Sequence, residues 1–479
     1  SIIAYIWSSV RVIALMMPPL ILLDLGLAGP GPAMFLSFIL MLVSFYYRWY
    51  VARTAFDTTG LARVLMRIDV LTLFPDAFRG PLDVSMIGRA RDVGESQSLI
   101  EIVATDPAHR LRGYATKVMA RAAETANAQL AAAQRIAGLG GLVVPHEAGG
   151  LGQGLYGLIR VCEEIGRACA STALCFGMHC VGTAVLAAKA TPDQRRRYLE
   201  PISAGAHLTT LALSEPGTGA HFYFPQTRLE DGDDDTYRLS GTKSFVTNGG
   251  YADSYVVSTV AADPGRPIGE FSTVVLEAGT EGMDWGRPWT GLGMRGNSSR
   301  RLELQDARVP RANLLGEEGD QIWYIFQVVA PYFLCAMAGT YLGLAGAALH
   351  EVTDHLKKRL HGHSGRTLSQ VPVLQHRLGT LWGTVERTRR LTYFAGTEAD
   401  TGGPDALPAL CTAKADVADA ANAVVGEAMT LMGGIAYAEH GVMGRLLRDA
   451  RAAHIMAPTT DMLRTWTGRV LLGHPILEE

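Results

Sequence analysis

"LALSEPGTGAHFYFPQTRLEDGDDDTYRLSGTKSFVTNGGYADSYVVST", residues Leu211–Thr259, is the stretch that decides the fold. Apolar residues alternate with polar ones in Tyr237–Leu239, Ser244–Val246 and Ser254–Val257, the period that buries one face of a strand. The acidic run "DGDDD", Asp231–Asp235, predicts a turn between two antiparallel strands. On either side the apolar period becomes helical. Upstream, Gly154–Arg167 and Ser171–Ala190 read as helices, and Thr191-Pro192 stops the second. Downstream, helical spacing runs through Gln321–Arg359, Val373–Thr397, Ala409–Met432 and Met443–Ala453.

Five stretches then occur in an order that resembles one family. "IAGLGGLVVPHEAGGLG" (Ile136–Gly152) looks like the entry to the helical N-terminal domain of acyl-CoA dehydrogenases, and "TPDQRRRYLEPISAG" looks like the charged helix before their β-domain. Leu211–Thr259 is similar to the family's TEPxxGSD, YxLxGxKxxITNG and ADxxxV elements. "GLGMRGNSSRRLELQDARVPRANLLGEEG" (Gly291–Gly319) matches the stretch closing that domain. "MGGIAYAEHGVMGRLLRDAR" (Met432–Arg451) matches the family's paired glycines and RDAR. The resemblance implies an α+β chain with a helical N-terminal domain over 130–208, a small antiparallel β-domain over 209–318 and a C-terminal four-helix bundle over 319–479.

The family's chemistry removes a proton from the carbon α to a thioester while hydride leaves the β-carbon for a flavin. It needs a ring held flat, donors on the thioester carbonyl and a carboxylate base. The resemblance thus implies FAD and an acyl-CoA thioester. The positions matching flavin contacts are Leu213, Ser214, Phe245, Val246 and Thr247, of which Ser214 and Thr247 keep hydroxyls and Phe245 keeps an aromatic wall. Gly433 and Gly434 permit close backbone approach, and Thr459 matches a threonine near the pyrophosphate. His361 and Pro372 stand where the family has arginine and glutamine, with Arg359, Arg366 and Gln375 close by. Thr430 replaces another glutamine, and Ala220-His221 replaces the Ser-Asp near the acyl-CoA tail.

The largest departure is in "RDARAAHIMAPTTDML", Arg448–Leu463, which resembles RDAR…IYEGTSEI. Met456 stands at the aromatic and Ala457 at the catalytic glutamate. The second base position used in the family aligns with Phe333, and "FQVVAPYFLCAMAG" around it has no carboxylate. A methyl group accepts no proton, and loss of a placed general base costs roughly 10²–10⁴-fold. Asp461, His221 and His440 are the remaining candidates.

With 48% apolar residues and a net charge of −3, the chain lacks the basic surplus of a nucleic-acid binder. Its six cysteines, at 162, 169, 175, 180, 335 and 411, contain no CxxC pair, and reduced core thiols are expected. Cys175, His179 and Cys180 do not converge at helical spacing, so no metal site is expected.

Residues 1–50 hold two uncharged apolar runs, Val12–Leu23 and Ala33–Tyr47, with Arg11 before them and Arg48 and Arg53 after. This arrangement predicts a membrane hairpin with both ends, and the body, on the cytoplasmic side. Residues 51–129 read as a mosaic. Met66–Gly94 resembles the start of tRNA (guanine-N1)-methyltransferases, and Glu101–Gln129, with Arg110-Leu-Arg-Gly113, resembles the acetyl-CoA motif of GNAT acetyltransferases. Neither fragment is long enough for a domain.

Three functions compete. The first is a membrane-associated FAD-dependent dehydrogenase of acyl-CoA passing electrons to a transfer partner. The second is a flavin monooxygenase on the same fold, and the third is an inactive scaffold subunit. The resemblance also implies a homodimer or tetramer, because the family completes its cofactor site across subunits.

Overall fold

The computed structural model describes residues 139–477, apart from 264, 268, 439 and 440. The apolar hairpin, both short resemblances before residue 130 and His440 therefore lie outside the described residues. The helical part opens with α1 (Leu155–Ala168) and α2 (Ala170–Ala188). Leu155, Leu158, Ile159, Cys162 and Gly166 form the buried stripe of α1, the spacing of a helix with one face in a core. Gly154 offers α1 no capping side chain, and Asp400 supplies the cap from elsewhere in the chain: its carboxylate accepts from the amides of Leu155 (2.7 Å) and Tyr156 (2.9 Å). At the next helical turn Thr191 and Gln194 form a reciprocal capping box around Pro192, so the predicted break at Thr191-Pro192 is also a helix start.

Seven strands follow, in two sheets. The first has the order β1 (Thr209–Ala212), β4 (Ser254–Val260), β5 (Phe271–Glu277), and the second β2 (Arg228–Asp231), β3 (Thr236–Val246), β7 (Arg300–Pro310), β6 (Met283–Trp285). The "DGDDD" run does turn β2 into antiparallel β3. Two expectations change. Tyr237–Leu239 and Ser244–Val246 are parts of one strand, because Gly241 lets the chain pass against Thr227 where any side chain would collide. The domain is also not wholly antiparallel: β1 and β4 pair in parallel, with Thr209 opposite Ser254, which needs the long crossover that β2 and β3 provide.

The C-terminal part comprises α3 (Ala330–Lys358), α4 (Pro372–Asp400), α5 (Ala406–Met432), α6 (Val442–Ile455) and α7 (Thr460–Leu471). A short helix and a π-helical turn, Gln321–Tyr324 and Ile325–Val329, lead directly into α3. α7 was not foreseen as an element. α1 and α3 meet backbone to backbone: a side chain on Gly166, Gly339 or Gly343 would strike the carbonyl of Thr340, Ile159 or Glu163 respectively. α2 and the Gln321–Lys358 helix are long and apolar enough to cross a membrane, but 89% and 83% of their apolar windows are buried within the fold. They are core helices of this body.

Two of the hydrogen bonds that fasten the β-domain to the helices lie close to the quoted stretch and to α6. The Asp449 carboxylate on α6 accepts from the Met294 amide at 2.6 Å, beside Gly293, where a side chain would strike the Arg448 carbonyl. The Asn248 amide group donates to the Cys175 carbonyl on α2 at 3.0 Å. All six cysteines are free, and only Cys169 is not buried. The His179 ring accepts from the Thr209 amide (3.1 Å) and donates to the Gly140 carbonyl (3.0 Å), so it serves the backbone.

Burial lowers the His179 pKa to about 4 from an ordinary 6.5. Between those values the unfolded chain binds a proton that the folded one does not, so stability falls as pH drops through that window. Urea midpoints measured from pH 7 to pH 4 should show the loss, and His179→Gln should flatten that part of the slope.

Candidate flavin site

The quoted stretch folds around a buried ion pair. Lys243 on β3 is enclosed, and its ammonium donates to Glu215 Oε1 (2.6 Å), the Ser258 carbonyl (2.5 Å) and the Leu213 carbonyl (3.4 Å). Glu215 in turn accepts from the Gln226 amide (2.7 Å), the Thr227 amide (3.1 Å) and the Thr227 hydroxyl (2.8 Å). Burial holds the Lys243 pKa down to about 8, with Glu215 opposing the shift. A buried pair this well bonded costs about 3–5 kcal/mol if one partner is removed. It pins Leu213–Glu215 between β3 and β4, and the Ser244 amide closes the junction on the Ser214 carbonyl at 2.7 Å.

Immediately beyond Lys243 the ladder with β7 slips, and the register resumes at Val246 opposite Arg300. Phe245 falls in this bulge with φ +54°, a left-handed conformation unusual for a bulky residue. The bulge turns its ring outward, 59% exposed, edge-on to Trp289, itself 57% exposed, with centroids 5.3 Å apart. Two large rings held out in this way, by strain of about 1–3 kcal/mol, make a wall for a flat apolar group. The hydroxyls of Ser214 and Thr247 make no hydrogen bond among the described residues, and Asn248 Oδ1 is buried without a partner. Leu213 and Val246 differ from expectation, because their side chains belong to the core. Only their backbone can face a ligand.

The second set of expected contacts lies elsewhere. Arg359 follows α3, Gln375 is in the first turn of α4, and Gly433-Gly434 follows α5. These helices run up, down and up, which puts all four residues at one end of the bundle, where Arg377 and Glu427 pair across α4 and α5. That end is remote from the β-domain: the 29 residues of α3 rise about 43 Å, and Asn248 reaches α2 at Cys175, two residues from the Gly177 contact with Ala336 near the start of α3. One chain therefore does not bring Phe245 and Gly433 together. Arg359 is exposed, Gln375 spends its amide on the Ser369 carbonyl (2.8 Å), and Tyr437 beside the glycines is 85% exposed.

Ala457 lies in the link between α6 and α7, partly buried against the core. The Tyr341 hydroxyl on α3 donates to Met456 Sδ at 3.4 Å, and Lys414 on α5 donates to the Met456 carbonyl (3.0 Å) and the Pro458 carbonyl (2.8 Å). Thr459 caps α7, accepting from the Met462 amide. Phe333 is half-buried, Asp461 is exposed on the first turn of α7, and His221 is exposed against the Tyr223 ring. None of them bonds to the 456–458 link. Sequence reasoning missed Lys414, Trp289 and Asp449. Lys414 had a signal, a lone charge on the buried face of α5 in phase with Leu410 and Val417.

Known proteins fit this geometry. Models of the acyl-CoA dehydrogenase N-terminal, middle and C-terminal domains match residues 106–206, 210–307 and 334–472. Cyclohex-1-ene-1-carbonyl-CoA dehydrogenase of Geobacter metallireducens is 32% identical over 334 residues, 69% of this chain and 86% of the relative. The chain belongs to the acyl-CoA dehydrogenase family. An acyl-CoA dehydrogenase of Bacillus subtilis is 31% identical over 70% of the chain and 87% of its own length. The solved butyryl-CoA dehydrogenase from Megasphaera elsdenii superposes with a TM-score of 0.70 at 27% identity, covering 79% of this chain and 98% of that one. The N-terminal match starts at 106, inside the stretch that resembles the acetyltransferase motif.

The cofactor of this flavoprotein family is FAD. The bulge, the exposed ring pair and the partnerless hydroxyls of Ser214 and Thr247 fit an isoalloxazine edge and face.

Replacing Phe245 by glycine separates strain from binding. The variant should melt at the wild-type temperature or above it, because glycine takes positive φ freely. It should also lose FAD at least tenfold more readily in a fluorescence titration.

Proposed function

We propose that this protein is an FAD-dependent oxidoreductase acting on an acyl-CoA thioester, the carboxylate of the family's base being replaced by Ala457. The observation that carries this reading is the bulged, outward-held Phe245 with the Ser214 and Thr247 hydroxyls beside it. FAD, when bound, supplies a two-electron acceptor for hydride from the thioester's β-carbon. Around it, Phe245 and Trp289 exclude water from one side, Ser214 and Thr247 offer donors, and Lys243 with Glu215 keeps their backbone in place. Ala457 can hold no proton. The α-proton therefore leaves to water or to a group other than the family's base, and turnover should be slow.

A homodimer or dimer of dimers follows within this proposal, because the glycine end of one chain would complete the flavin site of another. Reduced cofactor would pass electrons to a separate transfer partner. The apolar runs of residues 1–50 support placing the body on the cytoplasmic face of a membrane. Co-flotation of the full chain with liposomes, and its loss on removing those runs, checks that placement.

Ala457 and Phe333 together also favour a second reading, an inactive subunit that uses the fold as a rigid body. A visible spectrum followed by anaerobic acyl-CoA distinguishes the two. A yellow protein that bleaches slowly is expected. A colourless chain that takes up no FAD would support the scaffold reading, and a yellow chain reduced by other donors that then consumes oxygen would support a monooxygenase. On the first reading Ala457→Glu should raise the bleaching rate by about 10²-fold or more, measured by stopped flow.

A further inference from the structure

Lys414 is an uncommon group in the middle of a helical bundle. Its side chain is fully enclosed on α5, and among the described residues it has no carboxylate partner. Both of its hydrogen bonds go to carbonyls, those of Met456 and Pro458, the two residues flanking Ala457. Burial lowers its pKa to about 7 from an ordinary 10.5. Removing an amine from water is costly, so the two bonds must offset that cost. An ammonium has three N–H donors and a neutral amine two, so either form can satisfy both carbonyls.

The bridge spans the short link between two helices. α6 ends at Ile455 and α7 begins at Thr460. Between them, Tyr341 touches the Met456 thioether, a contact worth little as a hydrogen bond, and Thr459 serves α7. The His454 ring on α6 bonds to the Thr460 hydroxyl on α7 at 3.1 Å and ties the ends of the link, while the carbonyls on either side of residue 457 are both held by one amine reaching across from α5. Residue 457 aligns with the family's base, and proton transfer needs its partner within about 0.5 Å of the productive position.

We propose that Lys414 is a positioning residue: it fixes the 456–458 backbone so that a side chain at 457 meets the bound acyl thioester at reacting distance, in a chain that has kept this brace and lost the carboxylate. The proposal rests on the acyl-CoA reading for its chemistry and on the two hydrogen bonds for its geometry. It makes this protein a flavoenzyme site with its support intact, in which a single substitution is enough to restore a base.

Lys414→Met keeps the volume and removes both donors. Hydrogen exchange of the FAD-loaded full chain, followed by mass spectrometry, reads the effect without turnover. Exchange in peptides covering 453–462 should speed at least tenfold, while peptides from β3 and α2 stay as in the parent chain. In the Ala457→Glu background, Lys414→Met should lower kcat at least tenfold and leave KM for acyl-CoA within about twofold. Lys414→Arg, which keeps donors, should recover part of that loss. Unchanged exchange in 453–462 would overturn the proposal, as would an equal rise in exchange across the chain or an unchanged kcat in an active Ala457→Glu enzyme. If Lys414→Met does not fold, Lys414→Gln, too short to reach both carbonyls, is read in the same way. A colourless or acyl-CoA-indifferent parent protein would count against the acyl-CoA reading, whereas the exchange result judges the brace.

Discussion

The architecture turns on one hydrogen bond between domains, from the Met294 amide to the Asp449 carboxylate. Asp449 is nearly enclosed, and burial raises its pKa while the Met294 amide and nearby arginines oppose the shift. Gly293 alongside lets the loop lie directly on the α6 backbone at Arg448. This contact fixes where the β-domain stands relative to the helix that ends just before Ala457. The aromatic wall at Phe245 and Trp289 and the link at 456–458 therefore have a defined relation, although they lie far apart in the sequence. A charge-assisted bond of this kind contributes about 1.5–3 kcal/mol, and its larger effect is on geometry.

Much of the fold was legible in the residues, for identifiable reasons. Period-2 alternation is visible at Tyr237–Leu239 because one face of β3 is buried there, whereas β1 and β4 are buried on both faces and read as strands from their short apolar runs. The helices of the bundle are long and amphipathic or wholly apolar, so their phase survives. What was not legible depends on partners far away in sequence. The parallel pairing of β1 with β4 is a property of the crossover and leaves no trace in a four-residue strand. The merging of two short runs into β3 rests on Gly241 beside Thr227. α7 follows a proline and begins at a threonine cap, and its twelve residues are too few for a clear apolar period.

The candidate site divides the same way. Ser214, Phe245 and Thr247 were named by resemblance, and the Ser244 amide on the Ser214 carbonyl holds their two segments side by side. Leu213 and Val246 could not be separated from them, because strand alternation is broken by a bulge that only the paired strand reveals. Arg359, Gln375 and the glycine pair were grouped with these residues by resemblance, and in one chain they lie at the opposite end of α3. Lys414 stands between alanines, where a lysine usually marks an exposed helical face. Its phase with Leu410 and Val417 pointed inward, and only its two carbonyl partners explain why a charge-bearing residue is kept there.

The contact between α1 and α3 has a mechanical consequence. Where backbone lies on backbone there are no side chains to change rotamer, so the two helices cannot slide or rock by trading one packing arrangement for another. They act as a fixed spar. Any motion that admits a large substrate has to come from parts whose contacts can be exchanged, such as the loop from Gly217 to Phe224 and the turn bearing Trp289.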